Sequence, residues 1–314
     1  MTDFGGTEVL RVDDSAVPVP GPDEVLIEVD AAGVTYGDVM KRQGAFGTFD
    51  LPAGLGQQVA GTVRRSCSGG PAVGSRVAGM VEHGYAELAN AQADSVMPLP
   101  DSVDGRDAAS LWVHGVTAYQ TLRDAGRITS GDTVLVHAAA GGVGTLAIQL
   151  ARLLGAGAVI GAAGTPQKLD HIRSYGADFA VDYSEAGWAK AVFELTDGRG
   201  VDLVLDSVGG QTSLDTLDCV APFGRIVTFG AASGTPPTYS GMALMTQNLT
   251  VTGYSLMSWR SRPAAVSQAL EQLLAFTADG RLRPKVTEYR LDEVVEAHRA
   301  LVDRQTVGSL VLRP

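Results

Sequence analysis

The segment LVHAAAGGVGTLAIQLARLLGA, residues 135 to 156, constrains the fold more than any other part of the chain. It places six small residues between a short apolar run, DTVLVHA from Asp132, and a helical pattern, GTLAIQLARLLG. The apolar run predicts a buried strand, and the spacing after it predicts a helix. Small residues at such a junction allow a sharp turn and let another molecule approach the backbone closely.

The same rhythm continues along the chain. Strand patterns alternate with helical patterns in the order AVIGAAG, TPQKLDHIRSYG, FAVDY, AGWAKAVFELTDG, VDLVLDSVG, SLDTLDCVAP, GRIVTFGAA and LTVTGYSL, the last two both strands. This alternation predicts parallel strands joined by crossover helices, and the few polar positions in the strands predict that both sheet faces are covered. Two amphipathic helices, PAAVSQALEQLLAFTADG and LDEVVEAHRALVDR, then precede a last short strand, SLVLRP.

The first part of the chain has a different pattern, with many short strands broken by Gly and Pro. DEVLIEVDAAGV alternates apolar and polar residues, and GSRVAGM followed by GYAELAN predicts another strand pair. Helical spacing then appears in RDAASLWVHGVTAYQTLRDAG. Because we expect the last strand to return to this part, the sequence predicts an α/β chain with a doubly wound parallel sheet in residues 118–255. A discontinuous, β-rich domain would contain residues 1–117 and 256–314.

Composition excludes several classes of function. No apolar run reaches the ~18 residues of a membrane span, and the start has no basic region followed by an apolar one, as a secretory signal would. Cys67 and Cys219 are too few for a disulfide framework or a cysteine-rich zinc site, so we expect a reducing cytoplasm. The net charge of −11 argues against nucleic-acid binding, which needs clustered cations.

The small-residue turn matches the dinucleotide fingerprint G-x-G-x-x-G, with Ala139 in the first glycine position and Gly141 and Gly144 in the others. The N–H groups and dipole at the helix start would bind a diphosphate; a purely structural tight turn is the alternative. An NAD site usually has an acidic residue about 20 positions on, but residues 158–167 contain none. Lys168 follows in the first turn of the next helix. The sequence therefore predicts NADPH, whose 2′-phosphate a carboxylate would repel.

Seven segments of the chain follow the pattern of one known family. They are GDTVLVHAAAGGVGTLAIQLARLLGA, which contains the turn, AGVTYGDVMKRQG, LPAGLGQQVAGTV, HGVTAYQTL, VDLVLDSVGG, GRIVTFGAASG and VGSLVLRP. In these segments the chain resembles the zinc-independent quinone oxidoreductases of the medium-chain dehydrogenase/reductase superfamily. The likeness extends in order over nearly the whole chain. It implies a GroES-like catalytic domain made from both chain ends, a Rossmann domain between them, NADPH as cofactor and a homodimer. It also implies hydride transfer to a small-molecule quinone or α,β-unsaturated carbonyl.

The resemblance also assigns roles to single residues. Members of the family hold the 2′-phosphate at the positions of Lys168, Tyr183 and Arg304. They line the ribose and nicotinamide at Thr117, Ser207, Phe229 and Gly230, although Phe229 and Tyr183 are also ordinary core or strand-end aromatics. Together with the turn, the expected cofactor residues are Ala140, Gly141, Gly142, Val143, Gly144, Thr117, Lys168, Tyr183, Ser207, Phe229, Gly230 and Arg304.

A metal site is not expected. Zinc-dependent members of the superfamily carry Cys in the GVTYGD segment and a His-Glu pair in the GLGQQ segment, where this chain has Thr35, Gln57 and Gln58. None of these is a thiolate or imidazole, which tetrahedral zinc sites need. Hydride delivery to an electron-poor acceptor can proceed without zinc, because the cofactor carries the chemistry.

The candidate catalytic residues are Thr35, Tyr36 and Arg42, which would stabilise the charge that develops on the acceptor oxygen. Two departures from the family matter here: Thr35 replaces the usual Asn, and Phe46 replaces a Tyr that serves as a proposed proton donor in related enoyl reductases. The proton would therefore come from Tyr36 or from water. Asp38 is expected to tie down its loop, and His114 to be structural. The short stretch before FGGTEVL predicts an incomplete first hairpin with an exposed strand edge.

Two further functions remain open at this point. One is a stand-alone enoyl reductase acting on a carrier-bound or CoA-bound substrate, for which Lys41, Arg42, Arg64 and Arg65 are candidate contacts to a phosphopantetheine arm. The other is a nucleotide-binding scaffold or redox sensor with little turnover, which the replacements at Thr35 and Phe46 keep open.

Overall fold

The computed structural model describes residues 1–47 and 49–314 and divides the chain into two compact units. The first unit contains Met1–His114 and Leu270–Pro314, and the second contains Gly115–Ala269. The chain thus passes from one unit to the other after residues 114 and 269, whereas the sequence placed the domain boundaries after residues 117 and 255. The first unit is discontinuous, as expected.

Strands occur throughout the described residues. In chain order they are β1 (Glu24–Val34), β2 (Gln58–Arg65), β3 (Arg76–Met80), β4 (Leu88–Gln92), β5 (Val96–Pro98), β6 (Thr133–Val136), β7 (Ala158–Ala163), β8 (Phe179–Asp182), β9 (Val201–Asp206), β10 (Val220–Thr228), β11 (Thr250–Gly253), β12 (Val286–Arg290) and β13 (Ser309–Arg313).

Helices connect most of these strands. They are α1 (Tyr36–Arg42), α2 (Gly105–Ser110), α3 (Val116–Gln120), α4 (Gly142–Leu153), α5 (Pro166–Ser174), α6 (Trp188–Leu195), α7 (Gly210–Thr216), α8 (Gly241–Gln247), α9 (Leu256–Trp259), α10 (Pro263–Ala278) and α11 (Val294–Val302). Wide π turns at Leu111–Gly115 and Thr121–Ala125 precede and follow α3. Among the described residues, every helix is too short or too polar to cross a bilayer.

The second unit is built on a six-stranded sheet in the order β11-β10-β9-β6-β7-β8. All of its strand pairs are parallel, which confirms the prediction from the alternating pattern. The central strands β6 and β9 are almost entirely buried, because helices cover both faces of the sheet. The direction of strand addition reverses between β6 and β9. In a doubly wound sheet this switch point is where ligands bind, beyond the carboxyl ends of the strands.

The first unit is built on a seven-stranded sheet with β12-β13-β1-β2-β3-β5 in order and β4 also paired to β1. The prediction that GSRVAGM and GYAELAN pair with each other was wrong. β3 pairs with β2 and β5, whereas β4 pairs with β1, because β1 is long enough to hold two partners along one side.

The two ends of the chain are attached to this unit in different ways. β13 pairs antiparallel with β1, which confirms that the last strand returns to the first part of the chain. Residues 4–10 contribute no strand. A 3₁₀ turn at Thr7–Val9 lies there instead, and the amino group of Met1 donates to the carbonyl of Ala53 at 2.8 Å.

Candidate cofactor site and active site

The turn between β6 and α4 is tight and is made of small residues. The N–H of Gly141 donates to the carbonyl of Ala138 at 3.0 Å, and Ala138 has a left-handed φ of 47°. Gly141 caps α4, which begins at Gly142. Because the first N–H groups of a helix lack partners within it, those of Gly142, Val143 and Gly144 are available to an anion.

Gly141 and Gly144 have different surroundings. A Cβ at Gly144 would lie 2.5 Å from both the Ala138 carbonyl oxygen and Ala139 Cα, so only glycine fits where the helix packs on the turn. A Cβ at Gly141 would lie 3.4 Å from the same oxygen, an ordinary contact, with no other described atom within 4 Å. Gly141 therefore leaves open space beside the turn, which fits the close approach of a diphosphate.

The end of β7 lacks a carboxylate and is flanked by two of the expected phosphate contacts. Thr165 caps α5 by accepting a hydrogen bond from the N–H of Lys168. The N–H of Tyr183 donates to the carbonyl of Ala163 at 3.1 Å, so the end of β8 places Tyr183 beside the end of β7. Asp182 is the register partner of Ala163, but its carboxylate accepts hydrogen bonds from the Ser184 N–H and hydroxyl at 2.8 and 2.6 Å.

Arg304 belongs to the first unit and follows α11, with a left-handed φ of 55°. Its expected contact with a 2′-phosphate stays a prediction from the resemblance. For Lys168 and Tyr183, by contrast, the fold of a single unit places both residues at the end of one strand.

A buried pair of polar side chains joins β6 and β9 at the switch point of the parallel sheet. His137 follows β6, Asp206 ends β9, and Nδ1 of His137 lies 3.3 Å from Oδ1 of Asp206. Both side chains are fully buried. Burial alone would raise the pKa of Asp206, but His137 and hydrogen bonds from Ser213 and the N–H of Val208 lower it below its usual value overall. The aspartate is therefore ionised at neutral pH.

The loops that follow β9 and β10 pack against each other beyond the carboxyl edge of the sheet. The N–H of Ala232 donates to the Ser207 carbonyl at 3.0 Å, and a Cβ at Gly230 would lie 2.8 Å from that same oxygen. Phe229 donates its N–H to the carbonyl of Asp206 at 2.9 Å. Ser207, Phe229 and Gly230, three of the expected nicotinamide-side residues, therefore form one wall.

Thr117 lies on α3, in the same unit as the glycine turn. It is buried and donates a hydrogen bond to the Tyr254 hydroxyl, which itself donates to the amide oxygen of Gln120 at 2.9 Å. Burial raises the pKa of Tyr254, so the phenol stays protonated. The amide nitrogen of Gln120 is buried and finds no partner among the described residues.

The candidate catalytic segment of the first unit begins with a capping box. The Thr35 hydroxyl donates to Oδ2 of Asp38 at 2.7 Å and accepts from the Asp38 N–H at 3.2 Å. Asp38 also accepts from the N–H groups of Thr35 and Gly56. Thr35 is therefore buried and already bonded, whereas Tyr36, the first residue of α1, is 45% exposed. Of the three candidates, Tyr36 has the accessible polar group.

Arg42 is fully buried and takes part in a chain of hydrogen bonds. Its guanidinium donates to Nδ1 of His298 at 3.2 Å and to the Gly5 carbonyl at 3.2 Å. Nε2 of His298 lies 3.3 Å from the hydroxyl of Tyr85, which in turn bonds to Asp38. Burial, and next the charge of Arg42, lower the pKa of His298 to about 3, so this histidine is neutral. A role of Arg42 in holding α1 and α11 together follows from these contacts, and its predicted catalytic role stays a prediction.

Three other side chains noted in the sequence lie in the same unit. Phe46 is 62% exposed and has no hydroxyl to donate. Lys41 Nζ lies 5.1 Å from the ring centre of Phe49. His114 bonds through Nδ1 to the Ser309 hydroxyl at 2.9 Å, and burial lowers its pKa to about 4. His114 is therefore uncharged at neutral pH, as a structural hydrogen-bonding residue would be.

Comparison with known proteins decides the family. A quinone oxidoreductase of Pseudomonas aeruginosa is 37% identical over 318 residues, which cover 99% of this chain and 97% of that protein. The chain belongs to the quinone oxidoreductase family. Family models described as "Alcohol dehydrogenase GroES-like domain" and "Zinc-binding dehydrogenase" match residues 21–101 and 142–275. These matches place the chain among the medium-chain dehydrogenases/reductases and confirm the predicted pairing of a GroES-like with a Rossmann-type domain.

Two further relatives bear on cofactor and substrate. The crystal structure of Escherichia coli quinone oxidoreductase complexed with NADPH superposes with a TM-score of 0.93 at 33% identity, covering 100% of this chain and 98% of that one. A highly-reducing polyketide synthase of Aureobasidium melanogenum is 34% identical over 313 residues, which cover 96% of this chain but 14% of that much longer protein.

The zinc in the name of one family model does not fit the residues present. Gln58 is buried, and its amide oxygen accepts a hydrogen bond from the N–H of Val113 at 2.7 Å. The Thr35 hydroxyl is already hydrogen-bonded to Asp38 in the capping box of α1. Across residues 1–47 and 49–314, no three His, Cys, Asp or Glu side chains group as metal ligands would. The donor set at the positions that hold zinc in related enzymes is therefore unsuited to it.

The predicted site residues did not include four side chains that connect separate segments by hydrogen bonds: His137, Asp206, Tyr239 and His298. For His137 and Asp206 the sequence did carry a readable signal. Each is a polar residue at the end of an otherwise apolar strand pattern, VLVH and LVLD. A buried polar side chain at the carboxyl edge of a parallel sheet requires a partner, and the neighbouring strand end is the place to look for it.

Proposed function

We propose that this chain is an NADPH-dependent reductase that transfers hydride to a quinone or an α,β-unsaturated carbonyl without zinc. The proposal depends most on what surrounds the end of β7. The acidic residue typical of NAD sites is absent there, and Lys168 and Tyr183 lie beside the strand end. The NADPH complex of the E. coli quinone oxidoreductase supports the same cofactor.

Each group of residues in the second unit has a part in this proposal. The N–H groups of Gly142, Val143 and Gly144 bind the diphosphate, and Gly141 and Ala140 leave room for it. Lys168 and Tyr183 bind the 2′-phosphate. The wall of Ser207, Phe229 and Gly230, with Thr117 on α3, orients the ribose and nicotinamide.

The chemistry itself comes from NADPH, which supplies a hydride when bound. The chain's own residues exclude water, orient the two reactants and handle charge on the acceptor oxygen. Tyr36 is the proposed donor of a hydrogen bond or proton to that oxygen, because it is exposed while Thr35 and Arg42 are bonded within the unit. Water is the alternative proton donor.

The proposal is tested by titrating the protein with NADPH and with NADH while following nicotinamide fluorescence. A panel of quinones and enones is then screened by the loss of nicotinamide absorbance. We expect NADPH to bind at least about tenfold more tightly than NADH, since the 2′-phosphate adds a charge-assisted contact. We also expect turnover that a metal chelator leaves unchanged. Equal affinity for both cofactors would contradict the phosphate assignment.

A scaffold or sensor is distinguished in the same experiment. Tight NADPH binding without oxidation by any acceptor in the panel would favour that function over catalysis. No residue at the candidate site selects it directly, so it stays the weaker proposal.

A stand-alone enoyl reductase is the second candidate, and the identity shared with the polyketide synthase favours it. Arg42 is buried and Arg64 forms an ion pair with Glu28, so Lys41 and Arg65 are the better contacts for a phosphopantetheine arm. The test compares crotonyl-CoA with a small crotonyl ester as acceptors. A kcat/KM at least tenfold higher for the CoA ester would support this substrate class, and equal values would exclude a contribution from the arm.

We also propose a homodimer in a reducing compartment such as the cytoplasm. β11 is an edge strand of the parallel sheet, and its outer N–H and C=O groups can pair with a second copy. Next to it, Met242 and Met245 on α8 are 65% and 72% exposed. Both cysteines are free thiols, which fits a reducing location.

A further inference from the structure

The carboxylate of Asp206 gathers hydrogen bonds from several segments of the second unit. Its Oδ1 accepts from the N–H groups of Val208 and Gly209 at 2.9 and 3.2 Å, and lies 3.3 Å from His137. Its Oδ2 accepts from the hydroxyl of Tyr239 at 3.0 Å and from that of Ser213. One side chain thus binds the end of β6, the loop after β9, α7 and the loop after β10.

His137 contacts a second polar group besides Asp206. Its Nε2 lies 3.3 Å from the hydroxyl of Thr216 on α7, and that hydroxyl donates to the carbonyl of Thr212 at 2.7 Å. Its Nδ1 lies 3.3 Å from the carboxylate of Asp206. The imidazole therefore connects the end of β6 to both β9 and α7.

Aromatic rings pack against His137. The rings of Trp188 and Tyr183 lie edge-on to it, with centroids 5.6 and 6.4 Å away. The side chains of His137 and Asp206 are fully buried, so loss of the Asp206 charge would leave its hydrogen-bond donors without an ionised acceptor. The arrangement is therefore sensitive to a change that removes this charge and keeps the shape.

The segments held by Asp206 form the wall that contains Ser207, Phe229 and Gly230. The Ser233 N–H donates to the carbonyl of Val208 at 2.9 Å, and a Cβ at Gly209 would collide with the carbonyl of Thr235. The loop after β9 and the loop after β10 thus pack against each other. Asp206 is hydrogen-bonded to both, to the first through the Gly209 N–H and to the second through the Tyr239 hydroxyl.

We propose that Asp206 and His137 are positioning residues for the nicotinamide half of the cofactor. This inference rests on the proposed function, because it assumes that the wall faces NADPH. Asp206 and His137 do not themselves touch the ligand. They hold the two loops in the arrangement that the ligand needs. The adenosine half is bound at the end of β7, where Tyr183 packs edge-on against His137, so the two halves of the ligand are compared in variants of Asp206 and Tyr239 rather than of His137.

The positioning role is tested by Asp206→Asn, with Asp202→Asn as its matched control. Asp202 lies on the same strand near its other end, where it forms an ion pair with Arg199 at 2.6 Å. We expect Asp206→Asn to weaken NADPH at least tenfold while the affinity for adenosine 2′,5′-bisphosphate changes less than twofold. Asp202→Asn should leave both affinities unchanged.

Tyr239→Phe keeps the test informative if Asp206→Asn does not fold. It removes a single donor from Asp206 and should weaken NADPH a few-fold, again without affecting the bisphosphate. Equal weakening of both ligands by a folded variant, or no weakening of NADPH, would overturn the positioning role. A wild-type protein that does not bind NADPH would instead refute the proposed function. In that case faster hydrogen exchange of the Val208 and Gly209 amides in Asp206→Asn, but not in Asp202→Asn, would still support the loop contacts, and unchanged exchange would overturn them.

Discussion

Gly141 and Gly144 lie three residues apart in one turn, yet a side chain at each would meet different neighbours. At Gly144 the added carbon would overlap backbone atoms of Ala138 and Ala139, which cannot move without breaking the turn. At Gly141 it would enter open space. Gly144 is thus required by the packing of the protein itself, and Gly141 only by what binds beside it.

This difference predicts opposite results for two alanine substitutions. Gly144→Ala should destabilise the protein by roughly 1–3 kcal/mol, the cost of overpacking against a fixed backbone. Gly141→Ala should leave the thermal midpoint nearly unchanged but weaken NADPH at least tenfold. Thermal unfolding and NADPH titration of both variants check this. A normal NADPH affinity in Gly141→Ala would show that no diphosphate approaches the turn.

Lys168 is expected to determine the preference of the site for NADPH over NADH. Lys168→Ala should weaken NADPH about tenfold or more and leave NADH nearly unchanged, because only NADPH has a 2′-phosphate to lose the charged contact. Lys190 on α6, which pairs with Glu194 on the surface, gives the control substitution Lys190→Ala. Equal losses for both cofactors in titrations of Lys168→Ala would count against the phosphate role.

Tyr36 differs from the other catalytic candidates by its exposure. If its hydroxyl protonates the acceptor, Tyr36→Phe should lower kcat by about 100-fold, the lower end of general acid catalysis, and leave the Kd for NADPH unchanged. Steady-state kinetics with the best acceptor measure this. Wild-type kcat in the variant would assign the proton to water.

At the scale of elements, the alternating pattern was sufficient to predict the second unit. From β6 to β11 each strand pattern corresponds to an observed strand. The central strands β6 and β9 are buried and therefore continuous apolar runs, whereas the edge strands β8 and β11 are only partly buried. Helix α8 was missed. It has seven residues, of which none is buried, and a segment this short shows less than two full helical periods in its sequence.

The first unit was harder to predict because its contacts are non-local. β12 has the half-buried sequence VTEYR and exists as a strand through its pairing with β13, which no local pattern reports. For the same reason the partners of His298 could not be predicted. His298 bonds to residues more than 200 positions away in sequence. The turn itself, with Lys168, was readable because the fingerprint is local.

His298 on α11 should make the stability of the first unit sensitive to acid. His298 has a folded pKa of about 3 against an ordinary value of 6.5, so the unfolded chain binds a proton that the folded one excludes. Stability should therefore fall as pH drops below 6.5, by up to about 1.4 kcal/mol per pH unit from this residue. His298→Gln keeps an acceptor for Arg42 and a donor for Tyr85, and should reduce that slope. Urea midpoints at pH 6.5 and 5.0 check the prediction; the same slope in both proteins would contradict it.

At the scale of the whole molecule, the second unit offers an edge for self-association. Met245→Lys should convert the proposed dimer into a monomer, because it places a charge beside the edge strand β11. Val19→Lys, at a residue 77% exposed in the first unit, is the control and should not change the mass. Light scattering after gel filtration measures both. A monomeric wild-type protein would contradict the proposed dimer.

The pairing of β13 with β1 has a consequence for synthesis on the ribosome. Leu310 pairs with Val34, so the sheet of the first unit lacks β12 and β13 until residues 286–313 have been translated. Residues 115–269 contain every strand of the other sheet and can fold as soon as they emerge. The nascent chain therefore carries a long, unfinished amino-terminal segment while its middle is already folded. During that interval the end of β1 lacks its β13 partner, and such an unpaired strand edge is open to aggregation.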